Sequence, residues 1–98
     1  MNTTDFNAKL DNKESFIIKF SASWCGPCKA LAERLEELDS SVDILDVSIE
    51  GEGLDVATEC KVRNVPTMVA FKDGKEVARL SGLPSAIMLE EFLTKEAV

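Results

Sequence analysis

Phe16-Ile17-Ile18-Lys19-Phe20-Ser21-Ala22-Ser23-Trp24-Cys25-Gly26-Pro27-Cys28-Lys29-Ala30-Leu31 is the stretch on which the fold turns. Phe16 to Phe20 is short, apolar and rich in residues that favour extended chain, so it predicts a buried strand. Lys19 is the one residue that does not suit such a strand. From about Pro27 to Asp39, Leu31, Leu35 and Leu38 recur at helical spacing. Pro27 near the start of that helix costs little, because its missing N–H would be unpaired there anyway. Two cysteines, Cys25 and Cys28, therefore fall where a buried strand gives way to an amphipathic helix.

Working outward, Thr3 or Thr4 could cap a short helix carrying Phe6 and Leu10 on one face. Val42 to Ile49 reads as a strand that Gly51 and Gly53 break, and Leu54 to Val62 as a short helix. Thr67 to Phe71 is a third strand. Lys72-Asp73-Gly74-Lys75 carries the Asp-Gly hairpin signal, and Glu76 to Leu80 is the returning strand, ended by Gly82. Ser85 suits the N-cap of a last helix with Met88, Leu89, Phe92 and Leu93 on its apolar face. Strands alternating with helices imply a parallel crossover, and the hairpin adds an antiparallel strand. The expected fold is α/β: a mixed four-stranded sheet flanked by helices on both faces.

With 98 residues, the chain suits a single domain spanning 1–98. Asp and Glu number 18 against 11 Lys and Arg, a net charge of −7. An acidic surface argues against direct nucleic-acid or anionic-membrane partners, which need a basic one. No apolar run approaches the roughly 20 residues of a membrane helix, and Met1 to Asp11 lacks the apolar stretch of a signal peptide. A cytoplasmic location is the expectation. Three cysteines do not make a disulfide framework.

Cys25 falls at a helix N-terminus, where unpaired N–H groups and the dipole stabilise an anion. A thiolate there is the attacking species of disulfide exchange. Cys28, one turn on, is close enough to form a disulfide with Cys25 and is expected to be the more buried of the two. It would resolve a mixed disulfide by attacking Cys25. A Cys-x-x-Cys can also be half a zinc site or a ligand pair of a shared iron–sulfur cluster. Here the chain has no His and one further Cys, Cys60, and a closed metal site would need a carboxylate or another chain. Cys60 reads as a small buried hydrophobe, with a regulatory thiol as the alternative.

Trp24-Cys25-Gly26-Pro27-Cys28-Lys29 resembles the thioredoxin active-site signature, Val65-Pro66-Thr67 is similar to that family's cis-proline segment, and Phe71 to Lys75 resembles its hairpin. Gly82 is similar to its late glycine. The likeness covers about residues 14 to 95, and a short, divergent member of bacterial or bacteriophage origin would suit it. The resemblance implies a protein-disulfide reductase without cofactor, working through Cys25 and Cys28, and a cis bond at Pro66. It also implies a flat docking surface formed by Trp24, Gly26, Pro27, Val65, Pro66, Gly82 and Leu83. The partners implied are protein disulfides and a thioredoxin reductase or equivalent electron donor; a monomer is the default expectation. A glutathione-recharged enzyme and a non-catalytic binding subunit are the other readings.

Lys19 departs from the family pattern, which has a buried Asp at this position. It joins Cys25 and Cys28 in the candidate catalytic set. Charged, it would stabilise a thiolate; buried and neutral, it could accept a proton. Outward snorkelling or pairing with Asp43 or Asp46 is the structural alternative. Ser21 and Asn64 are further departures.

Overall fold

A computed structural model describes residues 1–38 and 43–96. Its elements are α1 (Thr3–Asp11), β1 (Phe16–Ser21), α2 (Gly26–Glu37), β2 (Ile44–Ser48), α3 (Gly53–Glu59), β3 (Thr67–Lys72), β4 (Lys75–Ser81) and α4 (Ala86–Glu91). A π-helical stretch, Phe92–Glu96, continues α4. The strand order is β2-β1-β3-β4. β1 runs parallel to β2 and antiparallel to β3, and β3 and β4 form the hairpin.

Alternation along β1 divides the core. Phe16, Ile18 and Phe20 join Phe6 of α1 and Val56 and Ala57 of α3 on one face. Ile17 joins Leu31 of α2 and Leu89 and Phe92 of the last helical segment on the other. The expected sheet with helices on both faces is what forms.

The boundaries differ in instructive ways. Asn2, not Thr3 or Thr4, caps α1: its Oδ1 accepts the Asp5 N–H at 2.8 Å. Asn is at least as good a cap as Thr, and the helix simply begins one residue earlier. α2 is capped by Cys25 and so starts at Gly26. The predicted end of that helix at Asp39 and the predicted strand start at Val42 lie outside the described residues. α3 closes at Glu59, with Cys60 as its C-cap. Ser85 caps α4 through the Met88 N–H, as expected. Met88 itself is 52% exposed, while Leu89, Phe92 and Leu93 are buried. The buried stripe is therefore 89, 92 and 93, at ordinary helical spacing, with Met88 at its exposed edge.

Asp73 and Gly74 both take positive φ at the hairpin tip, as an Asp-Gly turn allows. Gly74 N–H donates to the Glu14 carbonyl at 3.1 Å, which fastens the hairpin to the α1–β1 connection. Phe71 stacks on Phe16 with ring centroids 5.0 Å apart and meets Phe6 edge-on at 5.5 Å. These contacts leave the opposite end of the sheet, where β1 turns into α2, to hold the cysteines.

Among the described residues, no helix is long and apolar enough to cross a membrane.

Candidate functional site

Cys25 and Cys28 are joined as a disulfide with their Cα atoms 5.3 Å apart. Cys25 is the N-cap of α2, and its sulfur receives the Cys28 N–H at 3.2 Å. This is one of the donors that a helix start leaves without a partner. The Cys25 N–H in turn donates to the Ala22 carbonyl at 3.2 Å, fixing the short turn between β1 and α2. When the bond is reduced, a sulfur anion at this position meets an aimed N–H and the positive end of a 12-residue helix.

The two cysteines are equally enclosed, 3% and 5% exposed, so the expectation of a more buried Cys28 does not hold. Burial does not tell them apart in the oxidised state; cap position does. They pack with Ala22, and Ile49 and Val65 lie against that cluster.

The Val65–Pro66 peptide bond is cis. The Gly82 N–H donates to the Pro66 carbonyl at 2.8 Å, and Gly82 itself takes a φ of +77°. Thr67 Oγ1 donates to the Asn64 carbonyl at 2.7 Å. The segments that carry Val65, Pro66 and Gly82 are thus held together, and Val65 meets the dithiol cluster. Trp24 is 71% exposed and Leu83 40% exposed, and Gly26 and Pro27 lie on the surface between. A groove of about 220 Å³ runs beside them, lined by Trp24, Val65, Asn64, Leu54 and Ile49 among others.

Two features of the site were not legible beforehand. Glu50 accepts both the N–H and the hydroxyl of Ser23, at 2.7 and 2.8 Å. The Ser23 backbone bond, then its hydroxyl, holds the Glu50 carboxyl below its usual range. This brace steadies the loop that presents Trp24, and no local motif announces it. Ile49, just past the end of β2, lines the groove.

Lys19 is 8% exposed. It does not snorkel: its Nζ lies 3.8 Å from Asp46 Oδ2. It shares strand parity with Ile17, and its cross-strand neighbour Met68 packs with Leu31, so it points to the α2 side of the sheet. From Ile17 to Lys19 β1 advances about 6.6 Å. From Leu31 back to Cys28 the helix retreats about 4.5 Å. Because the helix of a crossover runs back against its strand, both steps lead toward the cysteine turn, from Ile17 to Lys19 and from Leu31 to Cys28.

Cys60 is buried in the α1/α3 core, and Arg79 Nη2 donates to its carbonyl at 2.6 Å. Burial pushes the Cys60 thiol up to about 11, Arg79 opposing and Glu76 and Glu59 adding to it. A thiol raised from about 9.0 stabilises the fold fully below that pH. The contribution is lost as pH rises through about 11. Cys60→Ala should therefore flatten the fall in stability across this alkaline window. Urea unfolding of both proteins on either side of it checks the slope; equal slopes would refute it.

A dithiol–disulfide pair capping a helix, set against a cis-proline loop on a mixed four-stranded sheet, defines a thiol–disulfide oxidoreductase. The thioredoxin family profile matches residues 1–95. The thioredoxin of Staphylococcus epidermidis is 36% identical over 96 residues, covering 94% of this chain and 90% of the relative. Oxidised mitochondrial thioredoxin 3 of Saccharomyces cerevisiae superposes with a TM-score of 0.80 at 32% identity, covering 94% of this chain and 88% of that one. Oxidised thioredoxin O2 of Arabidopsis thaliana gives 0.82 at 26% identity, with 99% and 90% covered. The chain belongs to the thioredoxin family and is a protein-disulfide reductase that works by dithiol exchange through Cys25 and Cys28.

Proposed function

We propose a division of labour in which the reduced Cys25 thiolate attacks a sulfur of a protein disulfide. A Cys25–substrate disulfide forms and one substrate thiolate leaves. Cys28 then gives up its proton and attacks Cys25 Sγ. The second substrate thiolate leaves, and the Cys25–Cys28 disulfide carries away the two-electron oxidation. A reductase acting on that bond restores the dithiol. The observation that carries this assignment is the Cys28 N–H directed at the Cys25 sulfur at the helix start.

Trp24, Gly26, Pro27, Val65, Pro66, Gly82 and Leu83 form the docking surface in this reading, with the Val65 backbone pairing with an extended substrate segment. Lys19 adds a positive field on the side of the sheet that α2 covers, favours the dithiol state and makes the disulfide the stronger oxidant. The protein acts as a single-domain monomer in the cytoplasm, with a thioredoxin reductase or equivalent as electron donor.

Leu83→Asp tests the docking surface, since Leu83 is partly exposed and outside the core clusters. A carboxylate on an apolar contact should raise KM for reduced-insulin formation about tenfold, equivalent to about 1.4 kcal/mol, with kcat changed less than about twofold. Unchanged KM would remove Leu83 from the surface.

A further inference from the structure

We propose that Asp46 is a positioning residue that tethers the Lys19 ammonium at the outer side of the sheet and thereby meters how much of its positive field reaches the Cys25–Cys28 pair. The inference rests on the electrostatic reading of Lys19 given above.

The placement is built by the sheet register. Lys19 and Asp46 are direct partners in the parallel β1–β2 ladder, so both side chains leave the sheet on the α2 side. Ser21, two residues along β1 on that same side, donates its hydroxyl to Asp46 Oδ1 at 2.8 Å. That bond fixes the carboxylate and leaves Oδ2 turned to Lys19 Nζ, 3.8 Å away. β2 is an edge strand, and the Asp46 side chain is largely exposed. The lysine stem is thus enclosed on the α2 side of the sheet while its ammonium is held by a carboxylate of the edge strand.

A buried cation without a counter-charge is costly, and among the described residues Asp46 is the carboxylate within ion-pair distance of it. The other charges on the surrounding elements are oriented elsewhere. Arg34 of α2 donates to the Pro84 carbonyl, and Glu50 past the end of β2 accepts from Ser23. Lys29 and Glu33 are on the exposed side of α2, Asp43 precedes β2, and Lys72 ends β3 at the hairpin, four residues along the strand from Met68, the partner of Lys19. Among the described residues, Asp46 is therefore the group whose charge is coupled most closely to that of Lys19. Removing it takes a negative charge from the neighbourhood of the thiolate and frees the ammonium to approach it. Both effects act in the same direction.

The test uses the reduced full-length protein. The rate of Cys25 alkylation is followed against pH, and the dithiol–disulfide equilibrium is measured in a glutathione buffer. Asp46→Asn should raise the alkylation rate below its pH midpoint about threefold and move the equilibrium toward dithiol by a similar factor. Lys19→Met should move both in the opposite direction. In the Lys19→Met background, Asp46→Asn should have a clearly smaller effect, that of the carboxylate's own charge alone. A silent Asp46→Asn beside an active Lys19→Met would overturn the tether and leave the Lys19 reading intact. Silence of both single variants would overturn both. Equal effects of Asp46→Asn in the two backgrounds, or a slower alkylation, would also overturn the tether. A purely structural ion pair would alter urea stability and leave the pH profile and the equilibrium where they are.

Discussion

Cys28→Ser is expected to stop turnover after the first exchange, with substrate left bonded to Cys25. The resolving attack is intramolecular, across a pair whose Cα atoms are 5.3 Å apart. Well-oriented intramolecular reactions reach effective molarities of about 10⁵ M or more. A millimolar external dithiol must do the same work in the variant. Turnover of insulin disulfides should therefore fall by at least about a thousandfold. Cys25→Ser should be as inactive for a different reason, because no thiol then occupies the cap position. Circular dichroism on both variants separates loss of chemistry from loss of fold. Near-normal turnover by a folded Cys28→Ser protein would mean that resolution comes from elsewhere.

Phe20→Ala should be the most damaging of the core substitutions beside the site. Phe20 is fully buried. It lies opposite Val47 in the parallel ladder and Thr67 in the antiparallel one, and it packs in the cluster with Val47, Val56 and Val69. Truncating a buried Phe to Ala costs about 3–5 kcal/mol through lost transfer energy and an unfilled cavity. A domain of this kind has about 5–15 kcal/mol in all. The urea midpoint should fall by about a fifth or more with an unchanged slope, and the strand that leads into the cysteine turn should loosen with it. A loss under about 1 kcal/mol would show that the site collapses around the gap or that the ring is not held as described.

What the sequence disclosed is mostly local chemistry. The apolar strand ending at Phe20, the leucine spacing of α2 and the cysteines between them are properties of one continuous stretch, so they could be read directly. The Asp73-Gly74 turn was legible for the same reason: two adjacent residues tolerate the positive φ that the hairpin demands. Register is a different matter. Which residue faces Lys19 depends on how β2 slides against β1, and Asp43 and Asp46 were equal candidates until that register was known. Ser21 reaches Asp46 across 25 residues of chain and Ser23 reaches Glu50 across 27; no spacing rule encodes such pairs. The α1 cap moved from Thr to Asn2 because adjacent cap-competent residues compete, and the chain's entry into the helix decides among them. Met88 is at the exposed edge of the apolar stripe made by Leu89, Phe92 and Leu93, and helical spacing alone does not say which edge residue the sheet covers.

The assignment of Cys25 as attacking thiol and Cys28 as resolving thiol is tested most directly by peptide mapping of the adduct formed between reduced Cys28→Ser protein and a disulfide substrate. A single stoichiometric mixed disulfide on the peptide bearing Cys25, released by added dithiol, is the predicted result. An adduct on the Cys60 peptide, or no adduct from a folded protein, would contradict it.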